Sequence, residues 1–466
     1  MTGKEIWTYG GDYGRFESSD NNFNCNGVIS PDRVPNPHAW EVQYYYQNIW
    51  STLTNKASGT VEIFNENFFV PIKNVKLNYT IEAEGSKVSE GTIDVSKLNI
   101  APQSRKQVKI ADIAKALKDK SLAGKELVCN LEYVLVNDEP LMKSGEKVAH
   151  EQFVLTDYQF ANPEAIAKAE GEKVKVDAFV DCVTFSANGV DVIFDKHNNG
   201  FITYLDVDGK PMMQEDFQLR PDFWRAPTDN DYGAGMQRRL AAWQNPRLSL
   251  GRDTIHWAYE GNSVKVTASY EMRSTDSRLD MTYIITPEGK IIVNEKLTVN
   301  ENAEQKPQLL RYGMQMQMPK EFDHVEFYGK GPFENYIDRN NASPLGKYSQ
   351  KVADQYYPYV RPQESGNKTQ VRYWKVLNAA GKGLEFTSNA PMECQSINYL
   401  EEDLTTGMDK KQHHSGDLTP RPFTSVHIAQ REMGVGCVNS WGAWPRREYQ
   451  MPYQNYDFTF VISPVR

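Results

Sequence analysis

Period-two alternation of apolar and polar residues is the main pattern in this chain. Residues 77–82 read Leu-Asn-Tyr-Thr-Ile-Glu, and residues 264–270 read Val-Lys-Val-Thr-Ala-Ser-Tyr. Side chains on a strand point alternately to its two faces, so such segments present one apolar and one polar face. Strands and helices do not alternate regularly, which argues against a doubly wound or barrel fold. The pattern therefore predicts an all-β protein.

Changes in this pattern divide the chain into four parts. Residues 1–37 are rich in Gly, Asn and Asp and carry too little apolar sequence for a core of their own. Residues 38–157 contain short strands separated by turns, which predicts an immunoglobulin-like β-sandwich. Residues 158–175 are predicted to form a linker. Residues 176–466 continue as strands and turns without a second clear break, which predicts one large multi-sheet sandwich.

Three short helical segments are predicted between the strands. One lies near Ala111 to Lys118 and another around Met236 to Trp243. In the linker, Asn162 is a candidate helix cap, and Pro163 suits the first helical position.

Composition narrows the classes of function. The 52 basic and 61 acidic residues give a net charge of −9 without a basic stripe, so we expect no nucleic acid partner. No apolar run approaches the roughly 18 residues that span a bilayer, so we expect no membrane partner. The five cysteines form no Cys-x-x-Cys pair and are predicted to be buried free thiols.

The densest polar and aromatic cluster lies between residues 328 and 374. Planar side chains that bond in pairs, placed beside aromatic rings, suit a sugar, whose hydroxyls are held in pairs while its CH face stacks. The alternative interpretation is a buried polar network that organises the large sheet. The candidate glycan contacts are Glu334, Asn335, Arg339, Arg361 and Glu364.

Three further segments have both a functional and a structural interpretation. Residues 223–233 place two aspartates and an asparagine in one turn, either for a cation or to bond their own backbone. Residues 434–445 carry two tryptophans in a Gly-rich loop, either as an exposed platform or as buried loop residues. His413 and His414 lack a third metal ligand at a recognisable spacing. No nucleophile elbow or Cys/His dyad is evident.

These segments, in this order, resemble the lactose-hydrolysing β-galactosidases of glycoside hydrolase family 2 over essentially the whole chain. The most specific matches are Trp-Arg-Ala-Pro-Thr-Asp-Asn-Asp at 224–231, Gly-Lys-Gly-Pro-Phe-Glu-Asn-Tyr at 329–336 and Tyr-Val-Arg-Pro-Gln-Glu at 359–364. The resemblance implies that residues 1–37 are the C-terminal remnant of a (β/α)8 barrel. It also implies that residues 176–466 are the small-chain domain, a supersandwich similar to galactose mutarotase.

The resemblance also implies a set of site residues. Trp441 matches a tryptophan that stacks on the substrate. Phe23, through its main-chain carbonyl, and Asn26, through its side chain, match part of a Na⁺ site that also orients the galactosyl group. The two catalytic glutamates of this retaining family and its Mg²⁺ ligands lie on barrel segments without counterparts here. We therefore expect no catalytic residue and no complete cofactor site in this chain, although Na⁺ and Mg²⁺ are implied for the full enzyme.

The leading hypothesis is the C-terminal part of a β-galactosidase, inactive alone, which completes the edge of an active site and supports assembly. We expect it to associate with the missing barrel portion or with itself. The alternative is a non-catalytic module that binds galactose or another glycan. A third option, a mutarotase, requires a His and a carboxylate that converge on a sugar, and His324 and Glu334 are the nearest candidates.

Overall fold

A computed structural model of the protein describes residues 5–14, 19–197, 199–250, 255–437, 439 and 442–466. Trp441, the implied stacking residue, lies outside these residues. The described chain consists mainly of β-strands with a few short helices, which confirms the predicted all-β fold. None of the helices within the described ranges is long and apolar enough to cross a membrane.

The chain forms two compact units. The sandwich unit comprises His38–Gln159 and Asn341–Lys347, and the large unit comprises Met1–Pro37, Phe160–Asn340 and Tyr348–Arg466. No sequence pattern indicated that residues 341–347 would belong to the sandwich unit.

The sandwich unit contains two antiparallel sheets. The elements in this part of the chain are α1 (Pro37–Tyr45), β1 (Ile49–Asn55), β2 (Thr60–Asn65), β3 (Val75–Ala83), β4 (Ser86–Ile93), β5 (Ser104–Lys109), α2 (Ala111–Lys118), β6 (Leu127–Leu135) and β7 (Lys147–Val154). One sheet has the order β1-β2-β5 and the other β4-β3-β6-β7. The fifth strand therefore leaves its neighbours in sequence to join the first two, as in a two-sheet sandwich.

The predicted alternation fixes which face of these strands is buried. Leu77 and Ile81 of β3 are fully buried, and so are Leu131 and Tyr133 of β6. Leu77 lies directly opposite Tyr133 in the β3–β6 pairing. Since cross-strand neighbours on one face contact each other, these side chains form a continuous core.

The segment Asn341–Lys347 is held to the sandwich unit by side chains that bond its main chain. The Glu41 carboxylate accepts the N–H of Ala342 at 2.9 Å. The Gln152 amide accepts the N–H of Leu345 at 2.9 Å and donates to its carbonyl at 2.8 Å. These bonds satisfy main-chain groups that would otherwise need a neighbouring strand.

The remaining helices and strands belong to the large unit, except that one strand, Leu345–Lys351, begins in the segment Asn341–Lys347 of the sandwich unit. They are α3 (Pro163–Ala167), β8 (Lys175–Ala178), β9 (Cys182–Ala187), β10 (Val190–Asp195), β11 (Ile202–Val207), β12 (Lys210–Pro211), β13 (Arg220–Asp222), α4 (Asp229–Ala234), α5 (Met236–Arg239), β14 (Leu248–Leu250), β15 (His256–Glu260), β16 (Ser263–Met272), β17 (Ser277–Ile285), β18 (Ile291–Val299), β19 (Arg311–Pro319), β20 (His324–Lys330), β21 (Leu345–Lys351), β22 (Lys368–Leu377), β23 (Gly383–Ile397), β24 (Phe423–Glu432) and β25 (Tyr456–Val465).

Two sheets organise these strands. The smaller has the order β12-β11-β10-β9-β8, and the larger follows the path β13-β19-β24-β23-β25-β18-β17-β16-β14. β15 pairs with β16, while β20, β21 and β22 extend the larger sheet from β23. Val264, Val266 and Tyr270 of β16 are buried, as their alternation predicts. One large core runs through both sheets.

The observed short helices lie at the positions predicted from the sequence. α2 spans Ala111–Lys118, as predicted. Asn162 caps α3, because its side-chain oxygen accepts the N–H of Ala165 at 3.1 Å. The helix predicted around 236–243 is two shorter pieces, α5 and a 3₁₀ turn at Ala241–Trp243.

The cysteines are all free, which confirms that prediction. Cys129 and Cys394 are buried, but Cys25, Cys182 and Cys437 are only partly buried. The prediction of full burial is therefore wrong for three of the five.

Candidate functional site

The N-terminal segment is fastened to the rest of the large unit by polar contacts around a buried tyrosine. The hydroxyl of Tyr9 donates to the carbonyl of His413 at 2.6 Å and accepts the N–H of the same residue at 2.8 Å. Asp12 lies 2.8 Å from Nε2 of His414 and accepts from the Gln412 amide at 2.8 Å. Burial would raise the pKa of Asp12, but the N–H of Tyr9 and the bonds to His414 and Gln412 hold this pKa below its ordinary value. The contacts fix the segment in place.

A cavity of about 670 Å³ lies where this segment meets α4. Its lining comes from residues 19–23 and 26, from 229–238 and from 408–410. Asn22, which is buried, donates from Nδ2 to Oδ2 of Asp229 at 2.5 Å. Nζ of Lys410 lies 2.7 Å from Oδ1 of the same carboxylate. Asn22 and Lys410 therefore both contact Asp229, and these contacts join the three segments that line the cavity.

The two residues implied as Na⁺ ligands both line this cavity. Phe23 and Asn26 lie on its rim, and the Phe23 side chain is 60% exposed. A main-chain carbonyl and a side-chain amide oxygen are hard neutral donors, which suit an alkali or alkaline earth cation. The donor chemistry therefore fits two ligands of the implied site.

A buried arginine holds the wall of the cavity beside α4. Arg225 donates to both carboxylate oxygens of Asp231, at 2.9 and 3.2 Å, and to Glu432 at 3.2 Å. Asp231 also closes a capping box with Thr228 at the start of α4. A further bond at 3.2 Å joins Arg225 to the carbonyl of Gly434, in the Gly-rich loop. This helix and this loop are therefore positioned by one side chain. The aspartates of the 223–233 turn thus fit the structural interpretation of that segment.

The five candidate glycan contacts lie in the interior of the large unit. Glu334, Asn335, Arg361 and Glu364 are each at most 3% exposed, and the Arg339 side chain is 15% exposed. Glu334 pairs with Arg339 at 2.5 Å, and Asn335 donates to two main-chain carbonyls. Arg361 donates to a threonine hydroxyl at 2.8 Å, and Glu364 accepts from a buried arginine at 3.2 Å. The arrangement matches the alternative interpretation, a buried polar network.

Burial changes the protonation of this network. Burial and the neighbouring Glu432 raise the pKa of Glu364 to about 8, although Arg311 and Arg225 oppose the shift. Burial likewise lowers the pKa of Lys368 to about 8. Both shifts favour the neutral form of a buried group, as desolvation does in a protein interior.

A second buried group surrounds Arg311. Asp222, Glu401 and His427 present ligand atoms within 4.8 Å of one another, a spacing that a metal site would have. Nη1 of Arg311, however, lies 2.9 Å from Asp222, 3.0 Å from Glu401 and 3.1 Å from His427. Because the guanidinium takes the position of a cation, these residues form an ion-pair cluster. Burial raises the pKa of Glu401, while Arg311 and His427 keep the pKa of Asp222 low against its burial.

Sequence reasoning missed two of these arrangements. The pairing of Asn22 with Asp229 joins positions 207 apart, and the pairing of Arg311 with Glu432 joins positions 121 apart. The turn rich in Asn and Asp around residue 22 was a visible signal, but its partner was not. His413 and His414 serve the anchoring of the N-terminal segment through Tyr9 and Asp12.

Two family models match the chain. The β-galactosidase small-chain model matches residues 186–462, and the model of β-galactosidase domain 4 matches residues 61–156. Similar proteins include the β-galactosidase of Halalkalibacterium halodurans, 31% identical over 99% of this chain and 44% of that protein. The β-galactosidase of Priestia megaterium is 29% identical over 99% of this chain and 43% of that protein. The chain thus spans less than half the length of these relatives.

These matches identify the class of protein: the chain contains two domains that are typical of β-galactosidases. It belongs to the β-galactosidase small-chain family, whose model matches more than half of its residues, and it corresponds to a C-terminal portion of a β-galactosidase. This confirms the resemblance noted in the sequence.

Solved structures give a more distant likeness. The galactose 1-epimerase of Lactobacillus acidophilus aligns with 64% of this chain and all of its own at 10% identity and a TM-score of 0.33. A galactose mutarotase-like protein of Clostridium acetobutylicum aligns with 64% of this chain and all of its own at 9% identity and a TM-score of 0.36.

Proposed function

We propose that this chain forms the active-site edge of a β-galactosidase, an enzyme that hydrolyses terminal β-D-galactosides with retention of configuration. The observation that carries the proposal is the cavity beside α4. It brings Phe23 and Asn26, the residues implied to orient the galactosyl group, against a wall that Asp229 and Lys410 hold in place.

In a retaining glycosidase one carboxylic acid protonates the leaving group and a second carboxylate attacks the sugar. We assign neither role to this chain, and Asp231, Asp222 and Glu364 of its buried clusters are each bound by an arginine. Its contribution is to bind and orient. Asn26 offers an amide to a cation or a hydroxyl, and the exposed Phe23 ring offers an apolar face to the CH side of a sugar.

The N-terminal segment also presents an unusual apolar surface. Apart from Phe23, which lines the cavity, its exposed large hydrophobic residues are Ile6, Trp7, Tyr13, Val28, Ile29 and Val34. Contiguous exposed apolar residues mark surfaces that another protein covers. We propose that the remaining portion of the enzyme packs on this segment, and that the isolated chain hydrolyses no β-galactoside.

The test combines this chain with the part of the Halalkalibacterium halodurans β-galactosidase that the match does not cover. The assay is hydrolysis of o-nitrophenyl β-D-galactoside by the chain alone, by the complementing part alone and by the two together. We expect turnover only from the mixture. Saturable turnover by the pure chain would contradict the proposal, and so would the absence of any association between the two parts.

A pair of variants tests the role of the cavity. Asn26→Ala removes an exposed side chain that lines the cavity, whereas Asn24→Ala removes an exposed side chain two positions away that does not line it. In the mixture we expect Asn26→Ala to raise KM about tenfold, the loss of one or two hydrogen bonds to substrate or cation. Equal KM values for the two variants would refute the assignment.

The alternative functions have less support. The cluster that motivated a glycan-binding module is buried. For a mutarotase, the two candidate residues have separate partners: His324 lies 2.7 Å from the Ser349 hydroxyl, and Glu334 pairs with Arg339. The cavity beside α4 therefore favours the β-galactosidase role.

A further inference from the structure

Asparagine followed by glycine is the residue pair most prone to spontaneous deamidation, and the chain contains this pair three times. The pairs begin at Asn26, Asn188 and Asn199. In the reaction the main-chain nitrogen of the glycine attacks the side-chain carbonyl carbon of the asparagine. Glycine favours this attack because it has no side chain to shield its nitrogen. The structure gives the three pairs different surroundings, so their reactivities should differ.

The pair Asn26–Gly27 lies in an open stretch of the N-terminal segment. It directly follows the 3₁₀ turn Asn21–Cys25, and Asn26 is extended, with φ −79° and ψ 169°. Both residues are exposed, and the Asn26 side chain makes no hydrogen bond or ion pair among the residues that the structure describes. Apart from the adjacent residues, no described atom lies within 4 Å of the position that a Cβ on Gly27 would take. The space beside the pair is therefore open for the side chain to rotate toward the main chain.

The pair at Asn188 is held in a tight turn. Asn188 and Gly189 have φ values of 47° and 71° and join β9 to β10 as a two-residue turn of type I′. The side-chain amide of Asn188 donates to the carbonyl of Glu288 at 3.0 Å. Ring closure would have to break this bond and distort the turn, so we expect this pair to react slowly.

The pair at Asn199 is confined by packing. Asn199 and Gly200 again have positive φ values, of 65° and 68°. Gly200 is buried, and the side chain of Ile255 lies 2.6 Å from the position that a Cβ on Gly200 would take. The Tyr270 hydroxyl donates to the carbonyl of Asn199 at 2.6 Å. This carbonyl belongs to the peptide group that must rotate for the attack, so the bond and the packing both oppose the reaction.

We propose that Asn26 is a modification site, at which this chain deamidates before its other Asn-Gly pairs do. The Gly27 nitrogen attacks Cγ of Asn26, the bond from Cγ to the side-chain nitrogen breaks, and ammonia leaves with the proton of the Gly27 N–H. Water then opens the succinimide at either of its two carbonyls, which gives aspartate or isoaspartate. Either product replaces a neutral amide with a carboxylate, and isoaspartate also adds a methylene group to the main chain.

The modification does not depend on the proposed function, but its consequence does. Asn26 is one of the residues proposed to orient the galactosyl group, so deamidation would change the charge of that part of the cavity beside α4.

The experiment follows the 466-residue chain during incubation at mildly alkaline pH, where base promotes the loss of the glycine N–H proton. Samples are digested at acidic pH, and mass spectrometry quantifies the three Asn-Gly peptides. The same incubation in urea supplies the reference rate by which the rate of each pair is divided. We expect Asn26 to convert about tenfold faster than Asn188 and Asn199 in the folded chain, because an intramolecular attack depends steeply on how closely the reacting atoms can approach. A rate at Asn26 equal to or below the other two would overturn the proposal.

A pair of variants checks the assignment by isoelectric focusing, which separates the more acidic deamidated chain. Asn26→Gln keeps an amide at an exposed position, but glutamine would have to close a larger ring, which forms more slowly. Asn24→Gln is the matched control, since Asn24 is an exposed residue of the same segment that cysteine follows. We expect the first acidic band to form about tenfold more slowly in Asn26→Gln and at the parent rate in Asn24→Gln. Equal rates in Asn26→Gln and the parent chain would also overturn the proposal.

Discussion

Arg225→Met tests whether the wall of the cavity beside α4 depends on one buried charge. The Arg225 side chain is fully buried and donates to both oxygens of Asp231, to Glu432 and to the carbonyls of Met433 and Gly434. Methionine has a similar length and keeps the apolar stem packed. The substitution therefore removes the guanidinium and leaves little cavity behind.

The expected loss of unfolding free energy depends on the hydrogen-bond partners that Asp231 and Glu432 keep in the variant. Loss of one member of a buried ion pair costs about 3–5 kcal/mol, because the partner charge stays buried. Asp231 retains the Thr228 N–H at 2.9 Å, and Glu432 retains Arg311 at 3.2 Å. These remaining partners place the expected loss of unfolding free energy near the lower limit, at about 3 kcal/mol.

Urea denaturation followed by tryptophan fluorescence measures this loss. Trp40 and Trp50 lie in the sandwich unit and the other seven tryptophans lie outside it, so fluorescence reports mainly on the large unit. The control is Arg278→Met, which removes an ion pair with Asp280 whose side chains are 55% and 30% exposed. Exposed pairs contribute at most about 1 kcal/mol. Equal midpoints for the Arg225 and Arg278 variants would refute the reasoning.

Two further predictions concern protonation and the N-terminal segment. Burial and Glu432 raise the pKa of Glu393 from 4.5 to about 8. Between these pH values the native state therefore binds a proton that the unfolded state has released. The unfolding free energy falls as the pH rises from 4.5 to about 8. Glu393→Gln should therefore flatten the fall of unfolding free energy between these pH values in urea titrations, and an unchanged slope would contradict this. Asp12→Asn weakens the bonds to His414 and Gln412. Amide hydrogen exchange of residues 5–14 should therefore accelerate about tenfold, while that of the sandwich unit stays unchanged. Equal exchange rates for residues 5–14 in the variant and the parent chain would count against the anchoring role of Asp12.

Sequence patterns predicted the structure correctly wherever residues close together in the chain determine it. The alternation at 77–82 and 264–270 fixed the buried faces of β3 and β16, and the Asn162 cap was readable because its partner is three residues away. Such features depend on local geometry and on the contrast between apolar and polar side chains. They identify strands and caps but not which strands become neighbours.

The buried ion-pair clusters could not be predicted from the sequence in this way. Asp222 meets His427 across 205 positions, and Arg225 meets Glu432 across 207. Charged residues near turns are usually solvated, so their burial becomes visible only after the strands have paired. The same reason explains the cluster at 334–364, where sugar contacts and a buried network require identical residue types and differ only in exposure.

Glu432 joins the two buried arginines, Arg225 and Arg311. It accepts from Arg225, which holds Asp231 in α4, and from Arg311, which contacts Asp222 of β13. Each arginine nevertheless keeps other carboxylate partners, so neither depends on Glu432 alone. Loss of one member of a buried ion pair leaves the charge of its partner without compensation, so the position of α4 depends on Arg225 and its buried partners.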